Sequence, residues 1–79
     1  MNESRRKTLK EAYGLLESAK ELIEQVQSEE QEAFDNMPEG LQSSDRGETM
    51  SNGLDSISQA LDSVESGISS LGEVERVEG

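Results

Sequence analysis

Apolar side chains recur three and four residues apart through most of the first half of the chain. Leu9, Ala12, Leu16, Ala19, Ile23, Val26, Ala33 and Met37 keep this spacing, and only Glu30 interrupts the apolar set. With Leu9 as heptad position a and Ala12 as position d, the pattern predicts a long amphipathic helix with a coiled-coil-like seam. The second half repeats it. Met50, Leu54, Ile57, Leu61, Val64, Ile68 and Leu71 alternate steps of four and three, with Ser, Asp, Gln and Glu between them. Serines and glycines lower the helix propensity here, so packing must hold the second helix more than propensity does.

Between the two stripes, Asp35-Asn36-Met37-Pro38-Glu39-Gly40-Leu41-Gln42-Ser43-Ser44 reads as a turn. Pro38 disfavours helix at Met37, and Asn36 and Gly40 are good helix-ending residues. Ser44 or Asp45 then caps the second helix, and Asp45 with Glu48 fits an Asp version of the capping box. The expectation is one all-α domain folded as an antiparallel two-helix hairpin. Helix 1 covers about 4–35, the turn about 36–44, helix 2 about 45–74, and a frayed C-terminus 75–79. Antiparallel neighbours should have position numbers with a constant total. Ala33 with Met50, Val26 with Ile57, Ala19 with Val64 and Ala12 with Leu71 all total 83; Ile23 with Leu61 and Leu16 with Ile68 total 84. The midpoint falls at Leu41 and Gln42, inside the turn read independently from its chemistry, and such agreement across levels supports the fold.

Alanine recurs at Ala12, Ala19 and Ala33, and Gly53, Ala60 and Gly67 recur every seven residues beside the second seam. Facing small residues let helix axes approach near the short end of the usual ~8–10 Å range; a groove for a ligand is the competing reading. Two helices in contact leave each seam side chain half wet, and a domain of this size is marginal unless something is added. Self-association into a four-helix bundle is the expected addition. Tyr13, Leu15, Leu22 and Phe34 lie beside the seam and are the candidates for it. Docking of a different, unidentified protein partner is the alternative.

Composition narrows the chemistry. The 79 residues include no Cys and no His, which removes disulfides, thiolate sites, the commonest metal ligand and the commonest general base. Eighteen acidic residues against seven basic ones give a formal charge of −11, which argues against direct nucleic-acid binding. High charge and few aromatic residues raise the possibility of disorder, but the sustained periodicity opposes it. There is no apolar run of the ~20 residues that span a bilayer and no secretory signal after Met1-Asn2-Glu3-Ser4-Arg5-Arg6-Lys7, so a cytoplasmic protein is expected.

Arg5, Arg6, Lys7 and Lys10 are the anion-contact candidates, although the register also sets them against Glu73, Glu75 and Glu78 as intramolecular partners. Lys10 with Glu73 and Arg5 with Glu78 both total 83. The turn end is acidic, with Glu29, Glu30, Glu32, Asp35 and Glu39 relieved only by Arg46. Their spacing matches no EF-hand loop, so no metal site is read there. Glu30, Asp35, Asn36, Gln42, Ser43 and Arg46 are the partner-contact candidates at this end. Glu30 sits on the seam opposite Leu54, where an isolated carboxylate is costly to bury. It is expected either to accept hydrogen bonds from turn amides and the start of helix 2, or to select register or a partner. No Gly-rich phosphate loop or other cofactor motif is present, and a narrow hairpin offers no deep pocket to shift carboxylate pKa values. An enzyme is not expected.

The stretch Glu29-Glu30-Gln31-Glu32-Ala33-Phe34-Asp35-Asn36-Met37-Pro38-Glu39-Gly40-Leu41-Gln42-Ser43-Ser44 resembles the turn region of short helical proteins encoded by phages and prophages. The resemblance implies a setting, a bacterial cytoplasm, and carries no functional residue. Three functions fit the sequence. The first is a small self-associating interaction module, an accessory protein of a phage or mobile element. The second is an acidic inhibitor of a nucleic-acid-binding host enzyme, resting on the net charge and the carboxylates Glu17, Glu21, Glu24, Asp55 and Asp62. The third is an oligomeric nucleotide sponge using the four N-terminal cations.

Overall fold

The computed structural model describes residues 1–78 and is helical almost throughout, with no strand among the described residues. Two long helices, α1 (Glu3–Asp35) and α3 (Asp45–Glu78), are joined through a single-turn helix α2 (Glu39–Gln42). Cross-helix contacts run in reverse order along the chain, from Arg6 with Glu78 through Lys20 with Glu65 to Gln27 with Ser58. The long helices are therefore antiparallel neighbours, forming a rod 58 Å long and about 15 Å across.

Each end of each helix has a local cause. Asn2 starts α1, its side-chain oxygen accepting the Arg5 amide at 2.8 Å. At the other end Asn36 closes α1 in right-handed backbone, its amide reaching the Glu32 carbonyl. The left-handed cap that Asn36 and Gly40 suggest does not form; no described residue has a positive φ. Instead the Gln42 side chain folds back and donates to the carbonyls of Phe34 (3.0 Å) and Met37 (3.2 Å), which satisfies the free carbonyl end of α1 from outside. Met37 is outside the helix ahead of Pro38, as expected, but Glu39 to Gln42 then make one helical turn. Ser44 precedes α3 and caps it. Its carbonyl accepts the Glu48 amide at 2.9 Å and its hydroxyl accepts from Gly47. The Asp45–Glu48 capping box therefore does not form, because Ser44 occupies the capping position and the residue three beyond it is Gly47. At the far end α3 runs to Glu78, so the fray read at 75–78 is helix instead; Gly79 lies outside the described residues.

Packing is thin. Leu54, 9% exposed, is the one buried apolar side chain among the described residues, joined by Gly47 under the turn. The remaining a and d residues of α3 from Met50 to Leu71 are half-buried. On α1 the seam is rolled. Position e closes the interface, where Arg6, Tyr13, Lys20, Gln27 and Phe34 are all half-buried. Position d opens only toward the turn, where Val26 is 51% exposed and Ala33 exposed, while Ala12 and Ala19 stay half-buried. This corrects the seam read on α1 at Val26 and Ala33 and adds position e to it; the other seam residues are half-buried. The cause is area: burial rewards apolar surface removed from water, and near the turn the Phe34 ring and the Gln27 stem at e offer more than Val26 and Ala33 at d.

The roll gives the hairpin two unlike flanks. On the closed flank Lys20 reaches Glu65 (3.8 Å), Gln27 donates to Ser58 (3.0 Å), and the Tyr13 ring lies over Gly72. These pairs, like Lys10 with Glu75 (3.8 Å), total 85, two beyond the expected ion-pair register. On the opposite flank, α1 presents Leu15 and Leu22 with nothing covering them.

Candidate interaction surface

The open flank begins with heptad geometry. Position g of α1 (Thr8, Leu15, Leu22, Glu29) is exposed throughout, because the helix has turned its e side inward. Leu15 is 66% exposed and Leu22 63%. Leu22, Ile23 and Val26 of α1 with Ile57 and Ala60 of α3 enclose an open groove of about 260 Å³, lined by apolar residues alone. Alongside it α3 presents Gly53, Ala60, Gly67 and Val74 at one heptad position, and Ser56, Ser63, Ser70 and Val77 at the next. No charged residue lies on this stripe of α3 from Thr49 to Val77. The matching stripe of α1 is Ala12, Leu15, Ser18, Ala19, Leu22, Gln25 and Val26, bounded by Glu11 and Glu29. In a chain that is 32% charged, this face is the exception.

The four self-association candidates therefore separate. Leu15 and Leu22 lie on the open flank, while Tyr13 and Phe34 are half-buried on the closed one and belong to the hairpin's own packing. Sequence reading finds the small residues every seven positions but not that the serines and valines beside them complete an uncharged stripe. The signal lies in the absence of Asp, Glu, Lys and Arg at those spacings.

The charged ends are mostly self-engaged. Arg6 donates to the Glu78 carbonyl at 2.9 Å, the N-terminal ammonium lies 3.9 Å from the Glu78 carboxylate, and Lys10 pairs with Glu75. The expected pairs Lys10–Glu73 and Arg5–Glu78 do not form. Glu73 is taken by Arg76 of its own helix, and the inward roll brings Arg6, not Arg5, to the end of α3. Arg6, Lys7 and Lys10 line one open recess together with Met1 and Glu3, while Arg5 lies outside it, so three of the four cations come together and a carboxylate sits among them. The niche between Arg6, Leu9, Tyr13 and Leu71 holds about 20 Å³, room for roughly one water and no organic ligand.

At the turn, Gln42 is committed to capping α1, and the Ser43 hydroxyl faces the Gly40 carbonyl at 3.4 Å. The carboxylates of Asp35 and Glu29 accept from Gln31 and Gln25 one helical turn earlier. Asp35, Asn36, Ser43 and Arg46 stay exposed, leaving them accessible to a partner. Glu30 is half-buried on the seam, yet its carboxylate makes no hydrogen bond or ion pair among the described residues. The hydrogen bonds expected for it from the turn and the start of α3 are absent, because Ser44 and Gln42 already satisfy those ends. Glu30→Leu should therefore stabilise the hairpin by about 1 kcal/mol, read as a higher urea midpoint with unchanged slope.

No three metal-ligating side chains cluster among the described residues, and no described helix is long and apolar enough to cross a membrane. No family model, no curated protein and no solved structure matches the chain.

Proposed function

We propose that this chain is a small, non-catalytic protein-interaction module that works through its uncovered apolar flank. The observation that carries the reading is the groove of Leu22, Ile23, Val26, Ile57 and Ala60, continued by Leu15 and the uncharged stripe of α3. Contiguous apolar surface rimmed by polar residues marks sites of association. Pairing of two hairpins into a four-helix bundle belongs to this reading. It leaves the acidic turn, with Asp35, Asn36, Ser43 and Arg46, free to meet another protein. The likeness of the turn region to phage and prophage proteins suits an accessory protein acting in a bacterial cytoplasm.

Affinity capture from bacterial lysate with the tagged full chain tests this, alongside measurement of its solution mass. Either self-association or capture of a protein is expected, lost in Leu22→Glu and kept in Glu17→Lys on a polar face. A chain that neither pairs with itself nor captures a protein would sink the reading.

The second reading is an acidic inhibitor of a nucleic-acid-binding enzyme. It draws on Glu17, Glu21, Glu24, Asp55 and Asp62, which are exposed and form no ion pair among the described residues. The two readings differ in salt response. A carboxylate surface meeting a basic enzyme weakens as salt screens it, whereas apolar association does not.

A further inference from the structure

We propose that the occupant of the open flank is a second copy of this chain, related by a twofold axis parallel to the rod. In that arrangement α1 of each copy lies against α3 of the other, with Leu22 over Ala60 and Leu15 over Gly67. This rests on the interaction-module reading and names its partner.

Three observations on the face lead there. The first is shape. Leu15 and Leu22 are exposed protrusions seven residues apart. On the neighbouring helix the small residues Gly67 and Ala60 have the same spacing, Ala60 exposed in the groove and Gly67 half-buried beside Leu16 of its own chain. Both pairs total 82, so in the antiparallel register each leucine stands level with its small residue. A twofold axis along the rod then sets the protrusions of one copy against the small residues of the other, with all neighbouring helices antiparallel. A self-complementary patch of this kind makes a closed isologous dimer.

The second is charge. A formal charge of −11 on each copy opposes association wherever carboxylates would face one another. The open flank is where they would not, since its stripe on α3 carries none from Thr49 to Val77. A nucleic acid or an anionic membrane would need positive charge on the docking face or its margin, and a basic protein would find carboxylates at the margin but none on the stripe of α3. Here the margin residues are Glu11, Glu29 and Glu32, with Arg5 alone at the end beside Val77, whereas helices that lie on membranes carry rows of Lys and Arg in that position.

The third is size. The uncharged stripe of α3 spans about 42 Å at 1.5 Å rise per residue. The matching stripe of α1, from Ala12 to Val26, spans about half that, so across a rod about 15 Å wide the uncharged outline is roughly 450–500 Å². Surface relief adds to it, which puts the face at the small end of stable interfaces of ~800 Å² per partner.

Sedimentation equilibrium on the full chain, with circular dichroism as the folding control, provides the test. The wild type is expected at twice the chain mass. Leu22→Glu and Ala60→Lys should each raise the dimer dissociation constant about 100-fold or more while staying helical, since each homodimer would hold two unpaired charges at the contact. An equimolar mixture of the two variants should recover the two-chain mass. In the mixed dimer the carboxylate introduced on one chain meets the ammonium introduced on the other, and the second contact is native. Ser63→Glu, exposed in the isolated hairpin, should also yield monomer and serves should Leu22→Glu unfold. Wild-type monomer, undisturbed dimers of the variants, or a mixture that stays monomeric each overturns the proposal. A wild-type monomer that still captures another protein through Leu22 would overturn self-pairing and leave the interaction-module reading standing; a monomer that captures nothing would end both.

Discussion

Gly47→Ala is expected to destabilise the protein by about 2–3 kcal/mol, although alanine is the better helix former by about 1 kcal/mol. A β-carbon at Gly47 would overlap the Gln42 carbonyl group and stand 2.5 Å from the Leu41 carbonyl oxygen. Both obstacles are backbone. Neither can rotate away as a side chain would, so α2 must lift from α3 or the first turn of α3 must unwind. Either motion also disturbs the Gln42 side chain that caps α1. The informative comparison is with Gly14→Ala and Gly53→Ala, whose β-carbons meet nothing within 4 Å. Those two should each stabilise the monomer by about 0.5–1 kcal/mol. Urea unfolding followed by circular dichroism gives all three. A Gly47→Ala protein as stable as Gly14→Ala would show that α2 does not pack on α3 in this way.

Leu54→Ala should cost about 2–4 kcal/mol, within the range for deleting a buried leucine side chain. In a domain whose whole stability is of order 0.05–0.15 kcal/mol per residue, that is a large share. Leu54 is buried because it meets α1 where both helices are near the turn and the chain cannot splay apart. Its counterpart across the seam, Glu30, contributes only its aliphatic stem. Leu22→Ala removes the same atoms from a side chain 63% exposed in the hairpin and should cost under about 1 kcal/mol in dilute protein. Its cost should grow with protein concentration if two copies cover it, because pairing adds to stability by mass action. The Leu54→Ala effect should carry no such extra dependence. Thermal unfolding at two protein concentrations a hundredfold apart separates these outcomes; equal losses for the two variants would mean that the burial pattern is wrong.

Heptad spacing is sufficient to place both long helices and their antiparallel register, because a seam that alternates three and four allows few other solutions. The turn is legible as a turn, since Pro38 forbids continuation. Its internal helix is not, because four residues with no periodicity of their own carry no pattern. The roll of α1 is hidden for a different reason. Heptad reading ranks positions by residue type, and alanine at d scores as apolar while offering little area; Tyr13, Lys20, Gln27 and Phe34 at e outweigh it only once their stems are laid across α3. That same roll decides which flank stays open, so the candidate surface is visible only in part. Leu15 and Leu22 stand out as excess apolar residues, whereas Val26 reads as core and the uncharged stripe of α3 gives no positive signal. Ion pairs are the least legible. Long flexible side chains reach partners a residue or two from their register, as Lys10 does in choosing Glu75 over Glu73.

The antiparallel pairing also sets an order in which the fold assembles. Gln27 and Ser58 are separated by 31 residues, while Arg6 and Glu78 are separated by 72. Every cross-helix contact encloses the turn, so the entropy lost in closing each loop grows steadily with distance from it. Contacts beside the turn are the least costly to make first, and each one made shortens the loop that the next must close. The chain is therefore expected to zip from Leu54 and Gly47 outward, with the Arg6–Glu78 clasp made last and opened first.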